Sequence, residues 1–196
     1  NESYETEGFY NGNGNYVIRL MPTEEGEWKY VTKSNVKDLD QKTGTFTVTP
    51  PSANNHGRVL LKNDVFPLGP MTDYHSENEF HFSYEDKTKY LPYGTTCYAW
   101  INQKPEICEQ TIESLKHSPF NKIRMCIFPK HYTYNTTDPD RYAFEGSREK
   151  GFDFTRFNTE FYEDLEHRIQ QLDDIGVQAD IILLHPYDNW GFANMT

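Results

Sequence analysis

The chain has no apolar run long enough to span a bilayer, so no membrane partner is expected. Cations are also scarce. Nineteen Lys and Arg stand against 30 Asp and Glu, a net charge of −11. Phosphate binding needs clustered cations, so this balance argues against a nucleic-acid partner and fits a neutral substrate. Only three cysteines occur, Cys97, Cys108 and Cys126, an odd number without metal-ligand spacing. They are expected to be buried thiols in a reducing compartment rather than a disulfide framework. No CxxC, phosphate-binding Gly-rich loop, GxSxG or HExxH is present, so no cofactor or metal is expected. The polar start "NESYETEGFY" carries no visible signal peptide, which points to a cytoplasmic protein. It also suggests that the chain begins inside a first strand.

Aromatic rings are what the chain has in quantity. Hydrophobic residues make up only 36%, but 14 Tyr, 13 Phe and 3 Trp supply large buriable surfaces. With 196 residues there is room for one medium domain or two small ones.

Two kinds of patterning follow each other. Over residues 1–63 the pattern is that of strands. Two extended segments flank Asn11-Gly12-Asn13-Gly14, a hairpin signal because Asn and Gly accept positive φ. "GEWKYVTKS" alternates with Trp28 and Tyr30 on one face, and "TGTFTVTPP" does the same with Phe46 and Val48. Such strands predict an immunoglobulin-like β-sandwich. Residues 64–79, rich in Pro, Gly, Asp, His and Ser, read as a linker or insertion. Residues 80–196 open on a hairpin turning at Glu85–Thr88 and then alternate strand and helix.

"YLPYGTTCYAW", "KIRMCIFP" and "VQADIILLH" are the three predicted strands. The first predicted helix starts near Pro105, with Ile107, Ile112 and Leu115 on one side and Pro119 as its stop. The second has Asn158 at its N-cap, Phe161, Leu165, Ile169 and Leu172 at helical spacing, and Gly176 at its end. The segment 129–154 between them reads as a long loop. The last strand is too continuously apolar to have an exposed face. This β-α-β-α-β order begins either a doubly wound sheet or a (β/α)8 barrel, and a barrel cannot close on three strands.

"GFYNGNGNYVIRLMPTEEGEWKYVTKS" resembles the N-terminal β-sandwich domain of unknown function that precedes certain bacterial glycoside hydrolases. "FHFSYEDKTKYLPYGTTCYAW", "FNKIRMCIFPKHY" and "ADIILLHPYDNWGF" resemble the first three strands of the apiosidase-like glycoside hydrolase barrel that follows it. The resemblance implies a β-sandwich followed by three β/α units of an incomplete (β/α)8 barrel. It implies a glycosidase acting on O-glycosidic bonds of plant or dietary polysaccharides and oligosaccharides. Its two catalytic carboxylates are expected beyond Thr196, so the 196 residues alone should be inactive. The alternative is a non-catalytic carbohydrate-binding or structural module.

In such a barrel the site forms at the carboxyl ends of the strands. Tyr98 and Trp100 follow the first strand; they can offer flat faces to a sugar, or Trp100 can instead close the barrel core. Arg124 in the second strand demands a carboxylate partner. That partner is either a catalytic acid on a further strand, as in related glycosidase barrels, or an acid of this chain in a structural ion pair. His131 and Tyr132 stand at the base of the loop after it. His185, Asp188 and Trp190 leave the third strand, where an acceptor, an imidazole donor and a stacking ring suit sugar hydroxyls.

Overall fold

The computed structural model describes residues 3–61, 82–130, 133, 135 and 138–185, and divides the chain into two compact units, Asn1–Leu91 and Pro92–Thr196. The described residues are mostly β with two α-helices.

The first unit is built from antiparallel strand pairs. β1 (Gly8–Tyr10) pairs with β2 (Tyr16–Ile18) in the register Tyr10↔Tyr16. The expected turn lies between them, where Gly12, Asn13 and Gly14 all have positive φ of 50–83°. β3 (Gly26–Val31) pairs with β4 (Thr43–Val48), and this sets Trp28 opposite Phe46. Their rings stack at 6.4 Å, and Tyr4 lies against Trp28 at 5.4 Å. Such cross-strand ring pairs are what hold an antiparallel ribbon together. β5 (Val59–Leu61) pairs with β6 (Phe82–Tyr84). After β6 the chain turns back through Lys87, whose φ is +71°, and Lys89 bridges to Ser83. The predicted hairpin is therefore present, and its first strand takes its other partner from the β5 side of the chain. The division between units accordingly falls at Leu91, later than the compositional change at 64–79.

The second unit carries a parallel sheet of three strands, the second of them in chain order lying at its centre. These are β7 (Gly94–Thr96), β8 (Lys122–Cys126) and β11 (Gln178–Ile182). A short 3-10 turn, Trp100–Asn102, precedes α1 (Pro105–Lys116). Pro105 sits in the first turn of α1, where a missing N–H costs nothing. Its buried residues are Cys108, Ile112 and Leu115, whereas Ile107 is 47% exposed. The i, i+4, i+7 stripe thus starts one residue later than the apolar pattern suggests. α2 (Thr159–Asp174) buries Phe161, Leu165 and Leu172, with Ile169 packed at the margin. Asn158 stands at its N-cap without a side-chain cap bond, and Gly176 closes the far end at φ +71°.

Ile123 and Met125, both fully buried, face the helices in one cluster with Ile112, Leu115, Phe161, Leu165 and Leu172. Side chains alternate along a strand, so Lys122, Arg124 and, on β11, Asp180 point to the opposite face. Among the described residues β11 has one bonded neighbour, is only partly buried throughout, and ends at Ile182, leaving Leu183 and Leu184 well exposed. The strand is thus less enclosed there than its continuously apolar run suggests.

The segment after β8 is more than a loop. β9 (Phe144–Ser147) and β10 (Gly151–Phe157) form an antiparallel hairpin. Gly146, at φ +123°, lies so close to the Gly151–Phe152 backbone that a Cβ there would collide with it. Phe144 stacks on Phe128 at 6.1 Å, which ties the hairpin to the end of β8.

Candidate functional site

All three strands run in one direction, with β8 bonded in register to both neighbours, so their carboxyl ends share one rim. The ladder continues to that rim: Cys126 N–H donates to Tyr98 O at 2.9 Å, and Ile127 N–H donates to Ile182 O at 3.0 Å. Tyr98 and His185 stand at it.

Tyr98 is half-buried, and the Lys130 ammonium lies 5.9 Å from its ring centroid. That ring face is engaged by a cation rather than bare. His185 is held against β8 by Phe128, whose carbonyl is 3.2 Å from Nε2. A carbonyl can only accept, so Nε2 carries the proton and is already committed. The imidazole therefore does not offer Nε2 to a ligand while this bond is kept.

Trp100 is the more enclosed of the two aromatic candidates after the first strand. It is 3% exposed, belongs to the core cluster, and donates Nε1–H to Cys108 O at 3.2 Å. A buried indole needs such a partner, and the 3-10 turn aims it under α1. This is the placement of a ring packed into the core. Arg124 likewise has its carboxylate in this chain. Its Nε and Nη2 lie 2.9 and 2.8 Å from Asp180 Oδ2, and Lys122 Nζ adds a third contact at 3.1 Å. The guanidinium is half in solvent, so the heavy burial cost foreseen from the sequence does not arise. Burial pushes the Asp180 carboxyl up, but the hydrogen bonds from Lys122 and Arg124 prevail and hold it below the usual carboxylate range. His131, Tyr132, Asp188 and Trp190 lie outside the described residues.

The rim also carries polar residues that the sequence did not single out as ligands. A cleft of about 590 Å³ is lined by Thr96, Tyr98, Trp100, Gln103, Ile107 and Asn135, among others. That size is within the range of about 300–1,000 Å³ typical of small-molecule sites. Gln103 and Asn135 meet side chain to side chain at 3.1 Å. Nothing in a single sequence joins residues 32 positions apart in this way. Asp180 was more accessible: "KIRMC" and "QADII" carry charges of opposite sign at their third positions. Parallel in-register pairing brings those two together.

None of the three cysteines forms a disulfide, and Cys108 and Cys126 are buried. Burial raises the thiols of Cys97 and Cys108 above their usual range, which makes them poor nucleophiles. Among the described residues no cluster of His, Cys, Asp and Glu suits a metal ion, and no helix is long and apolar enough to cross a membrane.

Residues 1–35 match a family described as "Domain of unknown function (DUF5060)". No curated protein matches the chain. Among solved structures, one from Bacteroides vulgatus ATCC 8482, described as a "putative glycoside hydrolase", is 42% identical at a TM-score of 0.81. The match covers 97% of this chain. It covers 37% of the other, so the chain spans little more than a third of that protein. A second, described as "Glycoside hydrolase", matches at 14% identity and TM-score 0.39, over 52% of this chain and 23% of that one. That likeness is too slight to carry an argument. The first likeness is one of sequence and fold together.

Proposed function

We propose that these 196 residues form part of a glycoside hydrolase, with an immunoglobulin-like β-sandwich first and the opening β/α units of a (β/α)8 barrel after it. The observation that carries this reading is the 42% identity, over 97% of the chain, to the Bacteroides structure described as a glycoside hydrolase. The layering of the parallel sheet supports it. Helices cover one face, as on the outside of such a barrel, and on this reading the face that carries Lys122, Arg124 and Asp180 is the inside. The substrates on this reading are plant or dietary polysaccharides and oligosaccharides.

Glycoside hydrolysis needs one carboxyl group to protonate the leaving oxygen and a second to act as nucleophile or base. The acid must hold its proton near neutral pH, which calls for a raised pKa. Asp180 is displaced in the other direction by its two cations, so it is not that acid. Its work is to hold Arg124 and Lys122 in place on the inner face. The reading assigns the catalytic carboxylates to strands beyond residue 196.

The test is a reducing-end assay on the full-length protein against a panel of plant polysaccharides and aryl glycosides, beside residues 1–196 alone. Hydrolysis by the long form and none by the short form is expected. No hydrolysis by the long form, with saturable sugar binding retained, would favour a carbohydrate-binding module instead.

A further inference from the structure

The side-chain amides at the rim form a chain whose direction is set at both ends. Asn135 Nδ2 donates to Lys130 O at 3.1 Å, which leaves Asn135 Oδ1 as the acceptor for Gln103 Nε2 at 3.1 Å. Gln103 Nε2 also donates to Ala99 O at 3.1 Å. Lys130 O and Ala99 O are backbone carbonyls and can only accept, so neither amide can be turned over without setting oxygen against oxygen. Both protons of Gln103 Nε2 are thereby used. Among the described residues its Oε1 makes no hydrogen bond, and Gln103 lines the 590 Å³ cleft together with Thr96 and Tyr98.

We infer that this cleft binds a neutral sugar unit, with Gln103 Oε1 accepting a hydrogen bond from one of its hydroxyls. The inference rests on the glycosidase reading for its ligand class and adds a residue that reading does not assign. Three features select a polyol. The polar groups named on the cleft wall, Gln103, Asn135, Thr96 and Tyr98, are all uncharged. Apolar surface from Ile107 and Cys97 lies among them, as suits the C–H face of a sugar. And an amide oxygen fixed by its own nitrogen's bonds is an acceptor already oriented before the ligand arrives, so little ordering cost is left to binding. Gln103 is a positioning and specificity residue on this account. It touches the sugar and takes no part in proton transfer.

The experiment is an NMR titration of the 196-residue chain with the methyl pyranosides of xylose, glucose, galactose and mannose. At least one is expected to shift the Gln103 and Asn135 side-chain amide resonances saturably. Gln103→Met, similar in length but without the acceptor, should weaken that binding about tenfold. Asn135→Ala, which frees the Gln103 amide to rotate, should weaken it about threefold. Absence of a saturable shift at these amides with all four sugars overturns the inference, as does equal affinity in Gln103→Met. The wild-type shifts do not depend on either variant folding. Because turnover is not read, the two proposals fail separately. Sugar binding at Gln103 in a protein that hydrolyses nothing overturns the glycosidase reading alone, and hydrolysis without binding at Gln103 overturns the site alone.

Discussion

Among the described residues of the first unit aromatic rings meet across strand pairs and stay partly in solvent, whereas in the second Trp100, Phe128, Phe144 and Phe161 are closed into the core. Tyr10 and Tyr16 touch at 5.3 Å across the first hairpin while 51% and 54% exposed. Every residue of the buried hydrophobic set, by contrast, lies between Trp100 and Val177. Similar side chains thus do different work. In the first unit they stabilise a register between two strands, a local effect of about 0.2–1 kcal/mol per pair. In the second they remove one another from water, which contributes about 1.5–3 kcal/mol for each large side chain fully buried. Ring content alone does not make a core; coverage by a second layer does.

The sharpest way to break this comparison is truncation on each side of it. Leu172→Ala, at a fully buried position under α2, should cost about 2–5 kcal/mol, and Phe46→Ala in the first unit about 1 kcal/mol or less. Chemical denaturation of both variants checks this, and equal losses would contradict the contrast. A smaller effect is expected from the ion pair that joins the two helices. Arg168, with 5% of its side chain exposed, donates to Glu109 on α1 and to Gln171 at 2.8 Å. Arg168→Met keeps most of the volume and leaves behind a Glu109 that is half in solvent, so the loss should be about 1–2 kcal/mol. A larger loss would mean that the guanidinium, not the packing, holds α1 to α2. Hydrogen exchange sharpens the same contrast without mutation: amides of β8, bonded on both sides, should exchange last, and those of β1 and β2 among the first.

The smallest expected effect is one of pH. Asp180 has a folded pKa below its unfolded value, so its contribution is fully present above the unfolded pKa of about 3.9 and is lost as pH falls through the folded value. Thermal midpoints should therefore drop from about pH 4 downward, and Asp180→Asn should flatten that slope. A slope unchanged in the variant would assign the acid sensitivity elsewhere.

What could be read from the sequence was whatever rests on local chemistry. The Asn-Gly turn, Pro105 at the head of α1, Gly176 after α2 and the parallel strands all follow from residues within a few positions of one another. The β9–β10 hairpin was hidden because Phe152, Phe154 and Phe157 follow no even period, and the register shifts between Asp153 and Phe157. Arg168 was hidden because a charge at a core position reads as solvent-facing until its partner on another helix is known. Ile107 was misplaced for a related reason. Which of two neighbouring apolar residues points inward depends on the angle of the helix to the sheet, and a sequence does not state that angle.

One further consequence follows from where Arg124 and Asp180 sit on the ladder. They are directly paired in register, on the face away from Ile123 and Met125. Sliding β11 by a single residue along β8 would turn Asp180 through to the other face and set its carboxylate among fully buried apolar side chains. Strands as plain as "VLL" or "DIILL" have little of their own to forbid such a slip. The ion pair forbids it, because the misaligned sheet would strand a charge in the core while leaving Lys122 and Arg124 without an anion. Its worth lies less in strengthening the correct alignment than in making the neighbouring one uninhabitable.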